Sequence, residues 1–250
     1  MRPPYTLLAT AYDAFCSAEP FITRFSRITD SSAPPNPTLL DLCCGTGQFA
    51  ISCAQNGYLV SAIDRSAEML AVARSSPGAN RVNWQCGDIR DLPAIGDLGA
   101  ITCNFDSLNY FLDLRTISNL FRSVCHALAP GGLFVFDAIT RISILSTPAS
   151  RRFQTEDLEI VLSSNIDTET ACRYSIFECF DTVSEAFLGM EIHVQKGYEI
   201  SEIVPRLKEC GLDVLSITPI EWGIPEGSQK AATALQYTCR KLSFDTHLVC

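Results

Sequence analysis

From residue 38 onward the chain alternates between short apolar runs and longer amphipathic stretches. Runs at 38–42, 58–63, 82–86, 100–105 and 133–137 have strand length, and each ends on or beside an acidic residue: Asp41, Asp64, Asp88, Asp106 and Asp137. Between them, residues 47–56, 66–75 and 116–128 repeat their apolar positions at helical spacing. Asn56-Gly57 stops the first of these helices and Pro130-Gly131-Gly132 the last. Strands alternating with helices predict a mostly parallel sheet with helices on both faces.

The flanks follow other rhythms. Residues 5–28 place Leu7, Leu8, Ala11, Phe15, Phe21, Ile22 and Phe25 at helical spacing, which predicts helix. The Pro- and Ser-rich stretch 29–38 then predicts a loop. Residues 158–163, 171–179 and 187–195 are extended and partly alternating, so an antiparallel β-rich insertion is expected after the fifth strand. A helix at 200–210 and strands at 212–219 and 234–242 complete the pattern. The implied organisation is a helical cap and linker (1–37), an α/β core (38–140), an insertion or lid (141–197) and a segment completing the core (198–250).

Composition narrows the classes of partner. The chain has 250 residues, 47% of them hydrophobic, which is enough for a buried core. No apolar run has the length of a membrane span, and the N-terminus lacks a signal-peptide pattern, so no membrane association and a cytoplasmic location are expected. With 19 basic against 28 acidic residues and a net charge of −9, nucleic acid is not the expected partner. The 12 cysteines include no Cys-x-x-Cys pair, and His126, His193 and His247 have no zinc-finger spacing. They read as free thiols in a reducing compartment.

The first strand and turn, "LLDLCCGTGQFA", satisfy the G-x-G-x-x-G/A spacing of a dinucleotide site at Gly45, Gly47 and Ala50. Asp64, at the end of the second strand, suits a ribose diol. Asp41 argues against a pyrophosphate, because a carboxylate beside two phosphates in a partly buried site is strongly repelled. A cationic ligand with a ribose and no phosphate removes that conflict. Asp88 can then accept from an adenine amino group, the Ile89 N–H can donate to a ring nitrogen, and Met69 can pack on the base.

These segments, with "VSAIDRSAEML", "VNWQCGDIRDL", "ITCNFDSLNYF" and "LFRSVCHALAPGGLFVFD", resemble class I S-adenosylmethionine-dependent methyltransferases of the small-molecule type. The run Asp106-Ser107-Leu108-Asn109-Tyr110 is similar to the YqeM-like bacterial subgroup. The resemblance implies a Rossmann-like seven-stranded sheet of order 3-2-1-4-5-7-6 with strand seven antiparallel. It also implies that Asp41, Gly45, Gly47, Asp64, Arg65, Met69, Asp88, Ile89 and Phe105 bind S-adenosylmethionine, with Tyr12 closing over its methionine end.

The expected reaction is methyl transfer to a nitrogen or oxygen of a small-molecule acceptor. Carbon methylation and a non-catalytic binding or sensor role stand as alternatives, ahead of a nicotinamide-dependent oxidoreductase. Such a displacement runs largely on alignment and desolvation, so no nucleophile is required. Candidate catalytic residues are His193, Tyr12 and Asn109. Strand alternation puts Glu191 and His193 on one face, where His193 is either a general base held by Glu191 or an ordinary half-exposed strand histidine. Asn109 or Tyr110 orients the acceptor, unless Asp106 merely caps the next turn and Tyr110 packs in the core. Arg141 is placed to face an acidic substrate, while Arg151-Arg152 reads as a solvated loop. No third ligand joins Asp106 and Asp137, so no metal is expected. The acceptor's identity and the oligomeric state, including a homodimer, stay open.

Overall fold

The computed structural model describes residues 2–92, 95–146, 150–221 and 233–243. The N-terminal part carries α1 (Tyr12–Phe15) and α2 (Glu19–Ser31). The alternating region follows as β1 (Thr38–Leu42), α3 (Gln48–Gln55), β2 (Leu59–Asp64), α4 (Ala67–Ser75), β3 (Val82–Cys86), β4 (Leu98–Cys103), α5 (Leu114–Ala127) and β5 (Leu128–Ile139). Then come α6 (Arg141–Ser146), β6 (Ser150–Gln154), β7 (Leu158–Asp167), β8 (Cys172–Asp181) and β9 (Phe187–Lys196). α7 (Ile200–Glu209), β10 (Leu212–Glu221) and β11 (Thr233–Lys241) return to the main sheet.

That sheet has seven strands in the order β10-β11-β5-β4-β1-β2-β3. β1, β2, β3, β4 and β5 pair in parallel, whereas β11 runs antiparallel to both β5 and β10. Counting core strands alone, this is the expected 3-2-1-4-5-7-6 order. The order reverses at β1, which pairs with β2 on one side and β4 on the other, and the crevice for a ligand opens at the carboxyl ends there.

Successive residues of the buried strands serve opposite faces. Leu40, Ile101 and Phe134 pack with Ile117, Phe121 and Val124 of α5 and Ile203 and Leu207 of α7. Their neighbours Leu39, Ala100 and Leu133 pack with Phe21 and Phe25 of α2 and Phe49, Ala50 and Cys53 of α3. Each fully buried aromatic or branched side chain contributes about 1.5–3 kcal/mol, so the two layers fix the sheet that carries the site. The second sheet, β6-β7-β8-β9, is antiparallel. Leu158, Ile160 and Cys179 from it cover Leu8 and Ala11 of the N-terminal segment.

Several expectations are corrected. Residues 5–28 are not one helix: turns precede α1, and α2 starts afresh with Pro20 in its first turn, where the missing N–H costs nothing. α5 ends at Ala127 and β5 starts at Leu128, so Pro130-Gly131-Gly132 neither closes the helix nor precedes the strand. It forms a bulge inside β5, where the register to β4 jumps from Leu98/Leu128 to Ala100/Leu133. Arg151 and Arg152 belong to strand β6 rather than a loop, with Arg152 pairing Glu159 of β7. Charges of this kind suit an edge strand. Among the described residues every cysteine is a free thiol. No helix among them is long and apolar enough to cross a membrane. His247 lies outside the described residues.

Candidate active site

The turn after β1 is bent by left-handed backbone at Cys43 (φ 55°), Gly45 (φ 55°) and Gly47 (φ 79°). The two glycines of the fingerprint do different things. A Cβ on Gly45 would meet nothing within 4 Å, so its side faces open space. A Cβ on Gly47 would lie 2.4 Å from the Trp84 ring, so this glycine lets α3 close onto β3. The Gly45 N–H donates to Asp64 Oδ2 at 2.8 Å, and the Ser66 N–H donates to Oδ1 at 2.8 Å. Two backbone bonds thus fix the Asp64 carboxylate at the end of β2. Burial pushes its pKa up, while those N–H groups and the Arg65 charge pull it back.

Asp41 is 2% exposed and accepts from Thr102 Oγ1 at 2.7 Å. Burial pushes its carboxyl up to about 7, against the Thr102 bond and with help from the Asp64 charge. A cation nearby would favour its ionised form. Asp88 is turned onto Arg90, whose Nε lies 3.0 Å from Oδ1, and that guanidinium holds the carboxyl below its usual range.

One cavity of about 350 Å³ runs past these groups. Its lining includes Asp41, Gly45, Asp64, Arg65, Met69, Asp88 and Ile89, together with Tyr12, Phe105 and the phenols of Tyr5 and Tyr110. Gly47, Asn109 and His193 do not line it. Asn109 is fully buried; its Nδ2 donates to the carbonyls of Ile139 (2.9 Å) and Lys196 (2.7 Å), and its Oδ1 accepts the Ile139 N–H (2.9 Å). It ties the ends of β5 and β9 together, with both amide hydrogens used and no place on the cavity wall.

His193 is 2% exposed, so the half-exposed alternative does not hold. Its Nε2 lies 3.0 Å from Glu191 Oε2, as strand alternation requires. Its Nδ1 lies 2.7 Å from the Tyr110 hydroxyl, which is 2.7 Å from the Tyr5 hydroxyl. The two phenols stand between the imidazole and the cavity. Asp106 caps no turn with its side chain; Oδ2 accepts Gln195 Nε2 at 2.8 Å, and burial raises its pKa to about 6. Arg141 pairs with Glu202 and Glu199 and faces no substrate site, and His126 bonds the Arg122 carbonyl on α5.

Tyr5 and Asn104 are among the cavity residues that escaped the sequence reading. Tyr5 was hidden inside the supposed helix. Asn104 is 5% exposed and lines the cavity, and its Nδ2 has no partner among the described residues. Its signal was there to read: it is the first polar side chain beyond the wholly buried β4. An unpaired buried donor, a carboxyl poised to ionise beside a cation and a glycine turn open to the cavity fit S-adenosylmethionine.

Residues 39–132 match a methyltransferase domain model. The chain is 28% identical to a putative methyltransferase, YqeM, of Bacillus subtilis, over 86% of this chain and 88% of that protein. An S-adenosylmethionine-dependent methyltransferase from Clostridium acetobutylicum superposes with a TM-score of 0.79 at 21% identity, covering 96% of this chain and 99% of the other. CalS10, an amino pentose methyltransferase of Micromonospora echinaspora, superposes with a TM-score of 0.68 at 16% identity, covering 96% and 99%. At such identities the two structures speak for the fold. Taken with the domain match over residues 39–132 and the acidic strand ends around one cavity, they show a chain that resembles class I S-adenosylmethionine-dependent methyltransferases.

Proposed function

We propose that the protein transfers a methyl group to a nitrogen or oxygen of a small molecule by in-line displacement. The observation that carries this reading is the cavity of about 350 Å³, whose lining includes the carboxylates of Asp41, Asp64 and Asp88, the unpaired Asn104 amide and the phenols of Tyr5, Tyr12 and Tyr110. When bound, S-adenosylmethionine supplies an electrophilic methyl on a sulfonium. Asp41 balances the cationic methionine end, Asp64 binds the ribose diol, and Asp88 with Ile89 receives the adenine. The Asn104 amide donates to the ligand. Tyr12 and Phe105, whose rings stand 6.4 Å apart, screen the reacting atoms from water. Residues 1–37 and 141–197 act as cap and lid in this reading, and the free thiols suit a reducing, cytoplasmic setting.

Calorimetric titration with S-adenosylhomocysteine and then NADH tests the ligand assignment. Tight binding of the first and none of the second is expected. The reverse outcome would return the glycine turn to a pyrophosphate and overturn the proposal. Mass-spectrometric screening of amines, phenols and alcohols then identifies the acceptor.

A further inference from the structure

An unbroken hydrogen-bond chain leads from the cavity wall into the second sheet. Tyr5 and Tyr110 line the cavity, their hydroxyls 2.7 Å apart. Tyr110 meets His193 Nδ1 at 2.7 Å, and His193 Nε2 meets Glu191 at 3.0 Å. Glu191 also accepts the backbone N–H groups of Tyr5 (2.6 Å), Leu8 (3.2 Å) and Leu7. Four donors converge on that carboxylate, so it is the accepting end of the chain.

The direction of every bond follows. Nε2 must carry the hydrogen given to Glu191, which leaves Nδ1 of the neutral ring as an acceptor. Tyr110 therefore donates to Nδ1, and Tyr5 donates to Tyr110. The outer lone pair of the Tyr5 oxygen is left facing the cavity. Protonation of His193 reverses the chain: Nδ1–H donates to Tyr110, Tyr110 to Tyr5, and Tyr5 then offers its hydrogen to the cavity.

We infer that Tyr5, Tyr110, His193 and Glu191 form a proton relay serving an acceptor with an N–H or O–H nucleophile. This rests on the methyl-transfer reading. The acceptor atom bonds the methyl carbon as the carbon–sulfur bond breaks, and its own hydrogen passes to Tyr5. The Tyr5 hydrogen moves to Tyr110 and the Tyr110 hydrogen to Nδ1, leaving imidazolium against Glu191. One proton leaves the acceptor and one is gained by His193, so nothing else is consumed. Tyr5 is the catalytic residue, and Tyr110, His193 and Glu191 act through it. A carbon acceptor with no acidic hydrogen has no use for such a path.

The other charged groups around the phenols are Asp106, Arg173 and Arg65. Asp106 is not on the cavity wall and its Oδ2 is held by Gln195, so it does not compete as the first proton acceptor. Phe177 and the Tyr5 ring pack against the imidazole and carry no charge.

Nitrogen-15 NMR of histidine-labelled protein tests the relay at neutral pH, with His126→Gln and His247→Gln assigning the other two rings. A His193 hydrogen on Nε2 is expected, together with a hydrogen-bonded Nδ1 resonance that Tyr110→Phe moves to the position of a free nitrogen. A hydrogen on Nδ1, or no response to Tyr110→Phe in a protein that melts like wild type, overturns the inference. Methylation of benzylamine and of phenol gives a second readout: Tyr5→Phe should lower kcat by about 100-fold with KM little changed. Ring-carbon methylation of phenol, or a Tyr5→Phe enzyme with full kcat, would also overturn it. If neither probe is methylated, the nitrogen resonances decide. S-Adenosylhomocysteine binding scores the underlying methyltransferase reading separately.

Discussion

At the scale of single residues, Asp41 and Asp64 separate two tasks that both look like an acid at a strand end. Asp41 titrates at about 7 in the ligand-free protein, because burial penalises its charge. A group raised above its ordinary 3.8 costs stability as pH rises from there to about 7. Asp41→Asn should therefore melt no lower than wild type at pH 8 without ligand. Ligand behaves oppositely. A cationic methionine end favours the carboxylate, so binding releases a proton below about pH 7 and S-adenosylhomocysteine affinity falls as pH drops through that value. Asp41→Asn should flatten this dependence and weaken binding at pH 8 by about tenfold, as read by calorimetry in buffers of different ionisation enthalpy. Asp64 holds two backbone N–H groups as well as facing the cavity. Asp64→Ala should weaken S-adenosylhomocysteine binding by about 10- to 100-fold, given roughly 1.5–3 kcal/mol for a charged hydrogen bond. Unchanged affinity would remove the ribose assignment.

At the scale of elements, the glycine turn looks uniform in sequence and is not uniform in structure. Gly45 needs only its left-handed backbone, whereas Gly47 needs that and the space under Trp84. Gly45→Ala should cost about 1–2 kcal/mol from backbone strain alone, and Gly47→Ala about 1–3 kcal/mol more from overpacking. Denaturant melts of the two variants should keep that order. The β/α alternation was open to sequence reading because strands buried on both faces are continuous apolar runs ending in acids. Asp41 and Asp64 could be placed by rhythm for the same reason, whereas Asp88 follows the edge strand β3, of which only Val82 is buried. The N-terminal segment was not, since its apolar spacing reflects Leu8 and Ala11 under the second sheet and Phe21 and Phe25 on the main one, two different cores. Asn109 misled because a polar residue after β4 suggests chemistry, while its bonds all go to backbone, two to Ile139 at the end of β5 and one to Lys196, which the insertion brings near. Nothing local to Tyr5 announces that Glu191, far along the chain, will hold its N–H.

At the scale of the whole molecule, one side chain couples cap, insertion and site. Glu191 stands on β9, binds His193 beside it and fastens the backbone of Tyr5, Leu7 and Leu8. Burial alone would raise its pKa, but His193 and the N–H groups of Leu7 and Tyr5 outweigh burial and hold it below the ordinary 4.5. A depressed carboxylate contributes stability that is fully present above its unfolded value and lost as pH falls through the folded one. The cap should therefore stay docked from neutral pH down to about 4.5 and loosen in stronger acid. Glu191→Gln keeps the shape but removes the charge that four donors share, so the cap should loosen at neutral pH as well. Amide exchange at Tyr5, Leu7 and Leu8 measures this. Those three should exchange about tenfold or more faster in the variant, as loss of about 1.5 kcal/mol requires, while amides of β1 and β4 in the main sheet keep wild-type protection. Equal acceleration in both regions would mean that Glu191 supports the fold at large. Acceleration confined to the cap would mean that the phenol on the cavity wall and the carboxylate behind it open and close as one unit.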